Sequence, residues 1–415
     1  MPNLTRRQAL SLAGSSALAT PVLTTSLLAT PLLATPAIAQ TKQAPGVTAT
    51  EILIGQTMPY SGPASSYGPI GKVEVAYMDF INAQGGINGR KIKLLSLDDG
   101  YSPPKTVEQT RKLVEEEGVG FIFQQLGTPC ATATRKYLNI KKVPQIFIAS
   151  GATQFGDREA FPWSMGWQVS YQIEGRVYAR YVLETKPDAK IGILYQNDDS
   201  GKDFAKGFRD GLGAKAGQIV AVTSYEVTDP TVDSQIVQLQ SAGADAVFIP
   251  SVPKFTGMAL RKVRELNWNP LYVIASVGSS VSSGLAPVGL DKAVGLVTGA
   301  YMKDPSDPQW KDNPGYKDWL AFLNKYQPGA DLTDINNVYG YCAAQTLVPV
   351  LQQCGNDLSR ENIMKQAANL DIQLPMFHDG VRFTTTATDY YGIKKLRLQR
   401  FDGHAWVPFG TPIGA

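Results

Sequence analysis

Histidine and cysteine are both scarce here: the 415 residues include two of the first and three of the second. His378 and His404 lie far along the chain, and neither follows a predicted strand as a catalytic base would. No metal-ligand set and no Cys/His nucleophile pair can be assembled from so few groups. Cys342 and Cys354 fall on one predicted helix, twelve residues apart. At ~1.5 Å of rise per residue that is roughly 18 Å, well beyond the ~7 Å between Cα atoms that a disulfide tolerates. The glycine-rich fingerprints are missing too. No G-x-S-x-G elbow, G-x-G-x-x-G turn or P-loop opens a predicted helix, which leaves hydrolase, dehydrogenase and nucleotide chemistry without a signature and no cofactor implied. Basic clusters are absent: Lys141-Lys142 and Lys394-Lys395 read as solvated faces, and the net charge of +3 gives no nucleic-acid footprint. Beyond Ala39 there is no apolar run long enough for a membrane span, and a soluble chain with room for two domains is expected.

What is present begins with an address. Thr5-Arg6-Arg7-Gln8-Ala9-Leu10 supplies a twin-arginine start, an Ala/Leu/Thr/Ser stretch follows, and Ala37-Ile38-Ala39 gives a small-x-small processing site. Pro21, Pro31 and Pro36 cut the apolar stretch into pieces too short to anchor it in a bilayer. Residues 1–39 are therefore read as a cleaved export signal. The arginine pair marks a Tat route; Ala9, where Phe is usual, leaves a Sec route open.

The rest alternates short β runs with amphipathic stretches. Strands are expected over 51–55, 91–97, 121–123 and 145–148, with helices over 71–82, 103–117 and 132–139 between them; Val73, Ala76, Tyr77 and Phe80 show the three- and four-residue spacing. The pattern repeats with strands over 190–195, 219–226, 246–249 and 271–274 and helices over 201–212, 232–241 and 255–266. Strands separated by single helices imply mostly parallel sheets covered on both faces, here an α/β fold of two doubly wound lobes. The stretch Phe161-Pro162-Trp163-Ser164-Met165-Gly166-Trp167 looks like the first crossing between the lobes. Helices over 314–326, 336–351 and 359–368 and an antiparallel strand over 394–401 end the chain.

Several of these segments carry a resemblance. Met58-Pro59-Tyr60-Ser61-Gly62-Pro63, Tyr67-Gly68, Asn82-Ala83-Gln84-Gly85-Gly86-Ile87-Asn88-Gly89, Asp98-Asp99, Ser150-Gly151-Ala152-Thr153, Tyr195 to Gly201 and Gly243-Ala244-Asp245-Ala246-Val247 are similar, in the same order, to the leucine/isoleucine/valine-binding family of periplasmic proteins. The resemblance implies a type I periplasmic-binding fold: two lobes, a three-segment hinge, and a small-molecule ligand in the cleft. It places lobe 1 at 47–167 plus 299–380 and lobe 2 at 168–298 plus 381–415. It also implies a monomer in the periplasm that delivers its ligand to the membrane permease of an ABC importer, with no catalytic residue.

The resemblance selects site residues that the chemistry supports. Ser150, Gly151, Ala152 and Thr153 follow a strand end, where small residues let N–H groups and hydroxyls approach an anion. Thr128 occupies the preceding strand-end loop, with Cys130 as the alternative there, and Tyr67 is placed as a pocket wall. Trp163, Trp167 and Tyr171 are available to stack on a ring or to pack the hinge. The departures are informative. Ser200 stands where the amino-acid binders carry a tyrosine, and Ser276, in Ala275-Ser276-Val277-Gly278-Ser279-Ser280, where they carry the carboxylate that pairs with the ligand's ammonium. An unpaired buried ammonium is costly. A carboxylate-bearing ligand without a required amino group is therefore expected, an aromatic acid being one such; a true branched-chain amino-acid binder is the alternative, with Asp198 or Asp199 supplying the acid. Intact mass of the protein from a native periplasmic fraction tests the export reading: the mature chain should begin at Gln40, and retention of residues 1–39 overturns it.

Overall fold

Strands joined through single helices must return parallel to one another, and the chain does this twice. The computed structural model describes residues 43–414, so the expected export signal lies outside the described residues. In chain order the first lobe has β1 (Glu51–Met58), α1 (Gly68–Ala83), β2 (Lys91–Asp98), α2 (Pro103–Arg111), β3 (Ile122–Phe123), α3 (Thr128–Ile140), β4 (Gln145–Ile148) and β5 (Ser164–Gly166). The second has α4 (Tyr171–Thr185), β6 (Ile191–Gln196), α5 (Asp199–Leu212), β7 (Ile219–Tyr225), α6 (Asp233–Ser241), β8 (Ala246–Ile249), α7 (Pro253–Glu265), β9 (Leu271–Ile274) and β10 (Val297–Ala300). The chain then returns as α8 (Pro314–Tyr326), α9 (Ile335–Cys354) and α10 (Arg360–Ala367), with α8 and α9 packed on α1. A small pair, β11 (Asp371–Ile372) and β12 (Phe383–Thr384), precedes β13 (Lys395–Phe401), β14 (Trp406–Pro408) and β15 (Ile413–Gly414).

The first sheet has the order β2-β1-β3-β4-β5 and is parallel throughout. The second runs β14-β13-β10-β9-β8-β6-β7, parallel from β7 to β10, with β13 antiparallel to β10 and β15 on the edge of β13. Buried on both faces, the central strands read as continuous apolar runs, as in Ala246-Val247-Phe248-Ile249. In each sheet the order reverses at one place, beside β1 and β3 in the first and beside β6 and β8 in the second. Loops leaving neighbouring strands diverge there and open a crevice beyond the carboxyl ends.

The sequence reading lacks helix α4 and strands β5, β10, β11, β12, β14 and β15, of which β5 and β10 extend the two main sheets. Ser164–Gly166, in the expected crossing, pairs with β4, and Val297–Ala300 adds β10 to the second sheet. Both are short and lack alternation, so nothing in their residues signals a strand. Gly299 and Ala300 pair with Leu398 and Arg397 in the second sheet. The helix expected over 103–117 is α-helical only to Arg111 and widens into a π turn over Lys112–Glu116.

Helices α4 and α5 meet through glycine. A Cβ on Gly207 would lie 2.3 Å from Gln172 Cα, and one on Gly175 2.6 Å from Phe204 O and Phe208 N. The close approach stacks Tyr171 on Phe204, ring centroids 4.0 Å apart. Gly207→Ala gains ~1 kcal/mol of helix propensity but drives a methyl into backbone. The clash should win, for a net loss of about 1–3 kcal/mol in denaturant unfolding. Gly217→Ala, whose Cβ would meet nothing within 4 Å, should be near neutral by the same measurement.

Candidate ligand-binding site

The two switch-point crevices face each other across a cavity of about 970 Å³, part of it open to solvent. Its walls come from the loops those strand ends release: Tyr67 after β1, Gly127 and Thr128 after β3, Ser200 after β6, Ser251 after β8 and Ser276 after β9. Gly127 holds a φ of +97°, and a Cβ there would strike the Tyr101 ring at 2.4 Å. That turn sets α3 with its first residue at the cavity wall. The N–H groups of a first helical turn have no intrahelical partner, and Pro129 removes one of them.

Of the residues selected from sequence, Tyr67, Thr128, Tyr171, Ser200 and Ser276 line this one cavity. Ser150 stands behind the wall with its Oγ 2.7 Å from Thr128 Oγ1, and it accepts the Ala152 N–H at 3.1 Å. Gly151 accepts the Tyr171 N–H at 2.8 Å, and a Cβ on it would lie 2.1 Å from Val169 O. The Ser150 to Ala152 turn therefore braces Thr128 and the start of α4. Thr153 is off the wall: its N–H and Oγ both donate to Asp203 Oδ2 on α5, each at 2.7 Å.

The remaining alternatives are also placed. Asp198 caps α5, accepting from Gly201 N–H at 3.0 Å and from the Ser200 hydroxyl, and Asp199 meets Gln154 Nε2 at 3.3 Å. Cys130 is buried within α3, and burial pushes its thiol far up. Trp167 is fully buried, donating from Nε1 to Thr346 Oγ1 at 3.0 Å and packing on Tyr339 with centroids 4.7 Å apart. It fills the crossing; of the three aromatic residues near it selected from sequence, only Tyr171 reaches the cavity.

Sequence reasoning missed two acids. Glu174, fully buried on α4, accepts from Ser276 N–H at 2.7 Å, from Ser276 Oγ at 2.9 Å and from Tyr178 OH at 2.6 Å. Burial raises its pKa against the lowering effect of these donors. The loop after β9 lacks an acid of its own, yet its serine is anchored by one. Asp304, just past β10, lines the cavity itself. No lysine, arginine or histidine does so among the described residues.

The lobes touch across the cleft at several points. Tyr67 OH donates to Val277 O at 2.8 Å, Ser280 Oγ to Asp334 Oδ1 at 3.2 Å, and Thr153 to Asp203 as above. Two parallel-sheet lobes over a mainly apolar, tyrosine-rich cavity with a few placed polar groups define a binding protein for small ligands. The chain belongs to the periplasmic binding protein family, whose sequence profile matches residues 51–405. It is 25% identical to the Leu/Ile/Val-binding protein homolog 7 of Brucella abortus, over 84% of this chain and 94% of that one. A branched-chain amino acid ABC transporter protein from Thermus thermophilus with bound valine superposes with a TM-score of 0.80, at 18% identity over 89% of this chain and 98% of that one. A fatty acid ABC transporter substrate-binding protein from Thermomonospora curvata gives 0.73, at 19% identity over 90% and 95%. The fold is the type I periplasmic-binding fold expected from the sequence.

The position of Thr153 makes it a closure contact. Thr153→Val removes one of two hydrogen bonds to Asp203, and Asp203→Ala removes both, a loss of ~1.5–3 kcal/mol per bond to a charged acceptor. Both variants should increase the radius of gyration of ligand-free protein in solution scattering, Asp203→Ala more. Unchanged radii in both would remove Thr153 from the closure contacts.

Proposed function

We propose that this chain is the periplasmic substrate-binding component of an ABC importer, and that its ligand is a small organic acid seated at the start of α3. The observation that carries the acid is the cavity wall at Gly127 and Thr128, where a helix N-terminus meets a hydroxyl pair. Free first-turn N–H groups and the positive end of the helix dipole suit a carboxylate. The relatives' named ligands support this: valine and a fatty acid have different bodies and share a carboxylate. Tyr67, Tyr101, Tyr171, Tyr339 and Phe204 line the same cavity and suit an apolar or aromatic body.

The acid with which the amino-acid binders pair the α-amino group is replaced by Ser276, and their pocket tyrosine by Ser200. Both hydroxyls donate to acids of the protein, Glu174 and Asp198. Binding is the whole activity in this reading. The ligand touches both lobes only when they are closed, so its binding energy favours closure, and the closed surface is what the permease recognises.

Titration calorimetry on ligand-stripped protein with leucine and its deaminated analogue, 4-methylpentanoate, tests the ligand class. The analogue should bind more tightly, and Thr128→Val should weaken it by ~1.5–3 kcal/mol, the value of a hydrogen bond to a charged group. Tight binding of leucine alone would make the chain an amino-acid binder.

A further inference from the structure

Most polar side chains of the cavity wall are already spoken for by the protein. The hydroxyls of Ser251 and Ser279 bond Thr256 and Ser276 O, and Gln168 holds Tyr339 and Tyr171 with its two ends. Gln196 bonds Asp198 and Tyr225. Three groups stand apart. Gln399, 2% exposed on β13, has a buried Oε1 with no partner among the described residues. Asp304, 3% exposed, uses Oδ1 for the Ser306 N–H at 2.9 Å and the Ser306 hydroxyl, and Oδ2 accepts no hydrogen bond among the described residues. The Tyr301 hydroxyl, on a residue 4% exposed, makes no hydrogen bond among the described residues.

All three line the one cavity. They come from neighbouring elements, since β10 leads directly to Tyr301 and Asp304 while Gln399 pairs with Thr298 of β10. A buried polar atom without a partner is costly, and Gln399 Oε1, kept so on the cavity wall beside a half-used carboxylate of the same lining, needs a reason. A buried carboxylate costs most of all, and this one has no cation near it: Lys303 turns the other way, its Nζ on the carbonyls of Pro375 and Phe377, both at 2.8 Å. Burial pushes the Asp304 carboxyl up to about 6, with Asp307 and Asp334 adding to the shift against the bonds from Ser306.

We propose that Tyr301, Asp304 and Gln399 form a second polar subsite of the cavity, which holds a hydrogen-bond donor, hydroxyl or ammonium, on a part of the ligand remote from its carboxylate. The subsite rests on the reading of the ligand as a small acid at Thr128. It differs from that seat in chemistry, offering acceptors where the α3 end offers donors. The ligand class that satisfies both is an acid substituted at its far end by an alcohol or an amine. Asp304 favours the ammonium and Gln399, which presents both a donor and an acceptor, accommodates either.

Matched acids test this by calorimetry on ligand-stripped protein. One set is 4-methylbenzoate, 4-(hydroxymethyl)benzoate and 4-(aminomethyl)benzoate; the other is hexanoate, 6-hydroxyhexanoate and 6-aminohexanoate. In at least one set a donor-bearing acid should bind tenfold or more above its unsubstituted partner. That preference should fall to threefold or less in Asp304→Asn, which retains the bond from Ser306, and in Gln399→Met, which keeps the volume. Preference for the amine that Asp304→Asn alone abolishes assigns an ammonium; preference for the alcohol that Gln399→Met alone abolishes assigns a hydroxyl. Equal or tighter binding of the unsubstituted acids, or a preference untouched by both substitutions, overturns the subsite and leaves the acid reading intact. Absence of binding by every acid in both sets overturns both.

Discussion

A carboxylate sealed from water dictates what must surround it, and Glu174 does this for the second lobe. Left without partners, such a group would cost several kcal/mol. Here it gathers the Ser276 N–H, the Ser276 hydroxyl and the Tyr178 hydroxyl. Tyr178 OH in turn accepts the Gly299 N–H at 2.8 Å. One acid thus ties α4 to the loop after β9 and to the last parallel strand of the second sheet. Tyr171 starts the same helix, so the network that satisfies Glu174 also fixes how that ring faces the cavity.

Between the lobes the physics differs. The crossing at Trp167 is dry and tightly packed, with Tyr301, Tyr339 and Phe377 around the indole. The contacts across the cleft are few and polar: Tyr67 to Val277, Ser280 to Asp334, Thr153 to Asp203. Each can be exchanged for water when the lobes separate, so each holds them together only by its net value, ~0.5–1.5 kcal/mol for a neutral pair and ~1.5–3 kcal/mol for a bond to a carboxylate. A firm hinge beside a weak rim lets a ligand of modest size decide between open and closed.

Much of this was legible in the residues. The alternation of apolar runs and helical stretches announced two parallel α/β lobes, because a strand buried on both faces leaves a continuous hydrophobic signature, as Ala246–Ile249 does. Short strands such as Val297–Ala300 leave none, since pairing on both sides defines them and their side chains do not. The family resemblance, laid on the loops after strand ends, led to Tyr67, Thr128, Ser200 and Ser276, which line the cavity. It also led to Thr153, whose hydroxyl meets Asp203 on a helix of the other lobe, a contact that no local pattern records. Asp304 and Gln399 escaped for a related reason: one follows an unrecognised strand and the other sits mid-strand in the tail, and only the second sheet brings them to the cavity. Glu174 escaped because no helix was read over 171–185, and only packing shows that it lies on the buried face of α4.

The cavity wall holds no basic side chain among the described residues, and this bears on letting go as much as on capture. An ion pair in a closed cleft leaves an orphaned charge behind at the moment of release, which slows the departure. N–H groups and hydroxyls of a helix start are rehydrated by the first waters to enter as the lobes part. In the proposed reading the carboxylate end of the ligand is held at the start of α3 by N–H groups and hydroxyls, and water can replace it there without leaving a bare cation behind.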